Sequence, residues 1–392
     1  CDMDVYDVGV YDVVIVGGGP AGSTLARHLS ARSTLRVLLV DGRSRRNCCG
    51  GMLSAEGQAA VREEGLELPD SVRMDPQPFC VHTYDYDNAL QRRYPRPYLN
   101  IDRECFDRWL LDRIPKRGGF EFWEHTLCKG FALSEQGDLL VRLMRRENQA
   151  NRDADRRAQR GTEPGAVCDA LRSIEVRTRF LVGADGSSST VGRVLRARMP
   201  KPEETPYYIA IQEWFQAEHQ PTHDFGAIFD RSISDYYCWT VPKGDQLIVG
   251  AALEPRPVGS ESYEARFQRL LQHLRDEGYD LSKSIYREGA LIRRPTRAEH
   301  LDRGEGHVFL IGEAGGWISP SSSEGVSFAI RTGAALAESR LESEGAETIR
   351  ARFRKRTKAL ERHLLRKHLK SPLMYTPWIR GLIMRTRLLS RR

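Results

Sequence analysis

The chain predicts an α/β fold in which a nucleotide-binding domain, built of strand–helix units, is split and holds a second, β-rich domain. Three observations carry that prediction. The apolar run Tyr11-Asp12-Val13-Val14-Ile15-Val16 leads into Gly17-Gly18-Gly19-Pro20-Ala21-Gly22, and a second apolar run over 36–40 ends in Asp41. Strands alternate with helices toward both ends of the chain. Between them, 207–253 alternates apolar and polar residues and carries turn signals, the pattern of antiparallel strands.

The first unit has a defined chemistry. Gly17 permits the tight turn, Gly19 lets backbone approach a pyrophosphate, and Gly22 packs the helix close to the sheet. Asp41 can accept hydrogen bonds from a ribose, and the helix N-terminus offers N–H groups and a positive dipole end to phosphates. The pattern predicts a bound dinucleotide.

Along the chain, 1–10 reads as a tail and 42–53 as a loop dense in Arg, Cys and Gly. Residues 100–114 read as a capped amphipathic helix with Phe106, Trp109, Leu110 and Ile114 on one side. Segments 138–144 and 174–182 read as paired strands, and the polar, patternless stretch 145–169 between them as a long mobile loop. A helix is expected over 262–277, capped by Ser262. A buried parallel strand follows at 307–311, then a helix over 325–341. Two basic helices complete the chain, the last starting near Thr376-Pro377 with proline at its first position. The expected division is a cofactor domain in three parts (1–79, 101–204, 297–342), a substrate domain in two (80–100, 205–296), and basic C-terminal helices over 343–392.

Bulk properties narrow the class. The chain has 392 residues, 40% hydrophobic and 29% charged, enough for a sizeable core. Residues 350–392 hold 15 Lys/Arg against one acid, Glu361, a local +14 that leaves about −7 for the rest of a chain whose total is +7. Eight cysteines (1, 48, 49, 80, 105, 128, 168, 238) lack C-x-x-C or Cys/His metal spacing, so reduced cytosolic thiols and no metal site are expected. No run of 18 apolar residues and no signal-peptide pattern is present, so a cytoplasmic location is expected.

Two more turns carry chemistry. Phe180-Leu181-Val182-Gly183-Ala184-Asp185-Gly186 is a strand with an acidic-Gly turn; alone, it is also an ordinary strand-to-helix turn. Val308-Phe309-Leu310-Ile311-Gly312-Glu313-Ala314-Gly315-Gly316, followed by Pro320 and Glu324-Gly325-Val326, ends a strand in a carboxylate and opens a helix after a small-residue loop. That arrangement suits a carboxylate on a ribityl chain and N–H groups aimed at a flavin's pyrimidine edge.

In this order the three motifs resemble the FAD-dependent two-domain fold of the p-hydroxybenzoate-hydroxylase type: an FAD-binding Rossmann-type domain with an inserted antiparallel β-rich substrate domain and C-terminal helices. Tyr237-Cys238-Trp239-Thr240-Val241-Pro242, leading to Val249-Gly250, resembles the Y-x-W-x-F-P…V-G substrate motif of the geranylgeranyl reductase family. Cys49-Gly50-Gly51-Met52-Leu53 resembles that family's C-G-G loop, and Arg103…Phe106-Asp107 its R-x-x-F-D helix start. The likeness spans about 11–387. Stretches 208–215 and 311–314 are most similar to the bacterial colicin-M-resistance flavoprotein (CbrA-like) branch. Val241 stands where the family usually has Phe, Glu313 where it usually has Asp, and 145–169 has no counterpart.

The resemblance implies FAD as the cofactor, held by Gly17, Gly19, Pro20, Ala21, Gly22, Asp41, Gly42, Cys49, Gly50, Arg103, Leu127, Asp185, Gly186, Gly312, Glu313, Gly325 and Val326. It implies that reduced flavin delivers hydride to a carbon–carbon double bond of a prenyl lipid, or acts on another hydrophobic small molecule. Tyr237, Trp239, Trp214 and Phe215 would wall an apolar slot, with Pro242 beside them; plain sheet core is the alternative for these side chains. Cys49 is the candidate catalytic residue, as proton donor or as shaper of the loop. No second G-x-G-x-x-G occurs, so electrons are expected from an external donor of unknown identity. A flavin monooxygenase or halogenase is one rival, since Tyr237-x-Trp239-x-Val241-Pro242 distantly resembles the halogenase W-x-W-x-I-P signature; against it, 42–53 contains no Lys. A membrane-associated flavoprotein electron carrier is another. In the last helix Ile379, Leu382, Ile383 and Leu389 recur at helical spacing with Arg380, Arg385 and Arg387 elsewhere on the wheel. Peripheral contact with the inner face of an anionic membrane is therefore expected, and no nucleic-acid binding.

Overall fold

The computed structural model describes residues 9–42, 48–77, 80–117, 119–134, 137–146, 171–198, 205–217, 220–255 and 261–386. In chain order the elements are β1 (Val10–Val16), α1 (Pro20–Arg32), β2 (Val37–Val40), β3 (Met52–Leu53), α2 (Ala55–Glu63), β4 (Cys80–Asp85), β5 (Leu90–Pro95), β6 (Leu99–Asn100), α3 (Arg103–Asp112), β7 (Phe120–Trp123), β8 (Thr126–Leu133), β9 (Leu139–Arg146), β10 (Leu171–Gly183) and α4 (Thr190–Arg196). Then come β11 (Tyr207–Gln216), β12 (Phe225–Phe229), β13 (Cys238–Lys243), β14 (Gln246–Leu253), α5 (Tyr263–Asp276), β15 (Lys283–Arg293), β16 (Gly304–Glu305), β17 (Val308–Leu310), α6 (Val326–Leu341), α7 (Ala346–Leu369), α8 (Ser371–Tyr375) and α9 (Pro377–Thr386).

β1 is apolar without alternation because both its faces are covered. It runs parallel to β2 on one side and to the end of β10 on the other, with β7 beyond β2 and β17 beyond β10. Val13 and Ile15 face α1, α6 and α7, where Leu25, Leu29, Leu336 and Phe353 meet them. Val14 and Val16 face the β8–β9 hairpin and α4, against Phe131, Val141, Leu143 and Val191. The result is a parallel sheet between a helical layer and a β layer, the Rossmann-type domain that the motifs predict.

The second sheet has seven strands in the order β15-β11-β14-β13-β12-β4-β5, antiparallel except for the parallel β12–β4 pair. Successive side chains along a strand point to opposite faces. The outer face, with Phe215, Ile228, Leu247 and Val249, packs on Phe267, Leu270 and Leu274 of α5. Ser262 caps that helix by accepting the Ala265 N–H. The inner face carries Tyr208, Trp214, Trp239, Val241 and Ile248, together with Tyr236 and Tyr237.

Several boundaries differ from those expected. The helix expected over 100–114 starts at Arg103, capped by Asp102, because Leu99 and Asn100 are drawn into a two-stranded sheet with Met52 and Leu53. That pairing also ends the 42–53 loop, of which 43–47 lie outside the described residues. Arg145 and Arg146 belong to β9, paired with Arg172 and Leu171, rather than to the loop expected at 145–169; residues 147–170 lie outside the described residues. Val10 begins β1, and 1–8 of the expected tail also lie outside.

Candidate active site

The three turns meet. Gly17, at φ +107°, lies so close to the Ala184–Asp185 turn that a β-carbon would strike the Ala184 carbonyl. Ala184 in turn donates its N–H to the Val16 carbonyl at 2.8 Å. A β-carbon on Gly312 would sit 2.9 Å from Cβ of Ala21. Parallel pairing of β1, β10 and β17 thus brings turns far apart in sequence to one sheet edge, the strand ends where ligands of such sheets sit.

The first turn is shaped for a dinucleotide. Asp41, buried at the end of β2, accepts the Gly18 N–H at 2.9 Å. Gly19 faces open space, and α1 begins at Pro20 with no side-chain cap and no acid in its first turn. Its positive dipole end and N–H groups are therefore open to an anion. Leu127 packs on Gly42 next to Asp41, yet its side chain remains 47% exposed, an apolar surface suited to covering a flat base.

The second turn is differently employed. Asp185 accepts from Ser189 Oγ at 2.5 Å and from the Thr190 and Val191 N–H groups at 2.7 and 3.3 Å. Its carboxylate caps α4 and fixes the turn, leaving the left-handed Gly186 as the open backbone position. In the third turn, burial pushes the Glu313 carboxyl up to about 7, against the Arg293 backbone N–H and the Arg293 and Arg103 guanidinium charges. Gly312 donates its N–H to Thr332 Oγ1 of α6 at 2.9 Å, and Glu324 caps the Gly325–Val326 helix start by accepting from Ser327.

Facing these turns is the Cys49 loop. Arg103 Nη1 lies 3.3 Å from Cys49 Sγ, and the Gly51 N–H lies 3.5 Å from the same sulfur. Arg103 is also held by Asp107 at 3.1 Å. Burial works against its charge, but Asp107 and Cys49 outweigh burial and keep the guanidinium above its usual range. Burial and the Glu288 carboxylate raise the Cys48 thiol.

Sequence reasoning missed one neighbour, Lys243. It is buried, donates to Asn100 Oδ1 at 2.5 Å and to the Ile101 carbonyl at 2.8 Å, and comes so close to Gly51 that a β-carbon there would lie 2.6 Å from Nζ. Burial pulls its ammonium down to about 8. Its signal was positional: along β13 the residues Trp239, Val241 and Lys243 share one face.

That face is the inner one. Trp239 lies directly over Gly250 of β14, its cross-strand partner, and any side chain at 250 would collide with the indole. This explains why a Tyr-x-Trp segment is coupled to a Val-Gly pair. Trp239 Nε1 donates to Gln212 Oε1 at 3.2 Å. Gln212 Nε2 and Trp214 Nε1 both donate to Glu288 Oε1, at 2.8 and 3.0 Å. Both indoles are therefore fixed in orientation. Tyr237 donates to the Ser322 carbonyl at 3.1 Å and stands 5.6 Å from the Trp239 ring. Two expected wall residues face elsewhere. Phe215 follows Trp214 in β11 and so points to α5, and Pro242 shares the outer register with its partner Leu247, while Val241 takes the inner position against Gly50.

Beyond Tyr237 lies a tyrosine cage. The Arg294 guanidinium sits 4.8 Å from the Tyr236 ring and 5.2 Å from that of Tyr375, which donates to the Ser321 carbonyl at 2.6 Å. The cage joins the sheet, the loop before α6, and the C-terminal helices.

Comparison with known proteins agrees with this architecture. A family model described as lycopene cyclase protein matches residues 12–129. Protein CbrA of Escherichia coli O6:H1 is 32% identical over 382 residues, 96% of this chain and 93% of that protein. A geranylgeranyl bacteriochlorophyll reductase-like protein from Thermoplasma acidophilum superposes with a TM-score of 0.70 at 19% identity, over 98% of this chain and 92% of that one. PqsL, a probable FAD-dependent monooxygenase from Pseudomonas aeruginosa, gives 0.62 at 19% identity, over 96% and 100%.

Proposed function

We propose a function from one premise: the chain belongs to the CbrA family and carries the fold of the FAD-dependent oxidoreductases. It is an FAD-dependent reductase that saturates carbon–carbon double bonds of a prenyl lipid. One observation carries this choice: the inner sheet face is an aromatic wall, Trp239 laid flat over Gly250, that runs directly into the Cys49 loop. The descriptions lycopene cyclase protein and geranylgeranyl bacteriochlorophyll reductase-like support an isoprenoid substrate.

The residues fit FAD. Asp41, the Gly17–Gly22 turn and Leu127 would hold the adenosine and pyrophosphate portion. Arg103, Glu313 and the backbone about Gly312 and Gly186 would hold the ribityl–flavin portion. When bound and reduced, FAD supplies hydride, its electrons drawn from an external donor. The chain's own contribution is threefold. Its aromatic wall excludes water from an apolar chain. Its fixed indoles hold that chain in register. It also offers a proton to the second alkene carbon from Cys49 Sγ or Lys243 Nζ, which an isolated double bond needs to accept hydride.

The test is anaerobic. Flavin in the purified protein is reduced with dithionite and mixed with a geranylgeranyl lipid. The expected result is flavin reoxidation matched by saturation of the lipid. Reduced flavin that persists beside unchanged lipid overturns the proposal. Label from ¹⁸O₂ appearing in the lipid when air is admitted would instead make the protein an oxygenase, the alternative that the likeness to PqsL supports.

A further inference from the structure

The C-terminal helix is built inside out. An amphipathic helix normally turns its apolar side chains to the body and its charges to water. In α9 the buried side chains are Arg380 and Met384, with Gly381 between them. Arg380 pairs with Asp85 at 2.7 Å and Asp87 at 2.6 Å, lies 4.6 Å from the Phe229 ring, and donates to the Met374 carbonyl at 2.8 Å. Asn88 donates to the Pro377 carbonyl, and Arg92 to that of Met384. This corrects the expectation that Arg380, with Arg385 and Arg387, is among the basic residues that meet an anionic membrane. It is the anchor that docks the helix.

With that face fixed inward, Trp378 and Leu382 are turned outward, and Ile379 and Ile383 are half-buried. Trp378 is 70% exposed and Leu382, one turn on, 56%. Leu373 and Met374 of α8 and Leu369 at the end of α7 are exposed beside them in sequence. Five large exposed apolar side chains thus fall between 369 and 382, two of them one helical turn apart on the same face of α9. The segment is also basic: Arg366, Lys370 and Arg385 are exposed, and no Asp or Glu follows Glu361 in the chain. Among the described residues no helix is long and apolar enough to cross a membrane, so any lipid contact made here is lateral.

We propose that α8, α9 and the end of α7 form a docking surface for an anionic lipid leaflet. Trp378 and Leu382 enter the headgroup–acyl boundary, where tryptophan partitions favourably, while Arg366, Lys370 and Arg385 meet the lipid phosphates. The placement serves the inner sheet face as well. Leu373 and Met374 are exposed to the leaflet, whereas the next residue, Tyr375, is locked into the Arg294 cage that adjoins Tyr237. The surface therefore lies at the edge of the aromatic wall. It stands independently of the lipid-reductase proposal, because any ligand of the wall could be reached from it.

Vesicle flotation of the full chain tests it. At physiological salt the chain should float with phosphatidylglycerol-containing vesicles and not with pure phosphatidylcholine. Trp378→Ser with Leu382→Ser, and separately Lys370→Glu with Arg385→Glu, should each weaken binding at least tenfold while circular dichroism is unchanged. Quenching of tryptophan fluorescence by brominated lipid should disappear in Trp378→Phe. Equal flotation of the wild type and both variants overturns the proposal. So does a concentration-dependent dimer that is lost in the Trp378→Ser, Leu382→Ser variant and is unaccompanied by vesicle binding, which would make the patch a protein contact. Neither outcome bears on flavin chemistry, which is read separately.

Discussion

The two faces of the seven-stranded sheet come from the same strands and the same alternation, yet they are built on different principles. The outer face is closed by α5 with Phe215, Val249, Phe267 and Leu270, side chains with nothing to orient. The inner face holds indoles by hydrogen bonds to Gln212 and Glu288, leaves a glycine beneath one of them, and ends at a buried lysine. Buried polar atoms cost free energy unless they are satisfied. A face that spends hydrogen bonds on holding aromatic rings flat is one on which ring position matters. The outer face requires volume; the inner face requires geometry.

Substitutions can break or sharpen that contrast. The largest expected effect lies on the outer face: Phe267→Ala should lower unfolding free energy by about 3–5 kcal/mol in urea melts, with turnover by the folded fraction unaltered. On the inner side, Cys49→Ala should lower turnover on the order of 100-fold, roughly 3 kcal/mol in barrier, with the urea midpoint and retained FAD unchanged; unchanged rates would remove the thiol from the chemistry. Across from the inner face, Glu313 has a folded value of about 7, raised from 4.5. Its stability contribution is therefore fully present below about 4.5 and lost as pH rises through about 7, a term of up to about 3 kcal/mol. Glu313→Gln should flatten apo-protein melting between those pH values, and a slope identical to wild type would refute the assignment. Gly250→Val should cost about 1–3 kcal/mol by displacing the Trp239 indole. Adding Trp239→Ala should restore melting temperature without restoring turnover. Smallest is Gln212→Leu, which strands the Trp239 N–H and should cost about 1 kcal/mol, with a larger proportional rise in KM than fall in kcat.

Much of the nucleotide-binding half is legible in the sequence because its signals are local. Gly17, Gly22 and Asp41 are fixed by a turn, a helix–strand contact and a strand end, all within one unit. The inner face is less so. Alternation assigns Trp214 and Phe215 to opposite sides but not which side faces the cofactor turns, and a register shift between them in the β11–β15 pairing blurs the pattern further. Lys243 is not singled out by the sequence, since its burial depends on Asn100 and Gly51, far away in the chain. Arg380 is expected at a membrane surface for the same reason: Asp85 and Asp87, which neutralise it, come from the first part of the second sheet. Tertiary ion pairing drew into the interior an arginine that helical periodicity alone places outside.

Strand β1 sits in the interior of its sheet, but its neighbour β10 is separated from it by most of the cofactor domain and two strands of the other sheet. During synthesis on the ribosome the first glycine turn is thus made early and remains without its second wall until residues 177–186 emerge, and without its third until 312–313. An emerging chain carries one edge of β1 bare throughout that interval, a hazard for strand-to-strand aggregation. The three turns can come together only after 312–313 have been made, so a fragment that stops before them lacks one wall of the site.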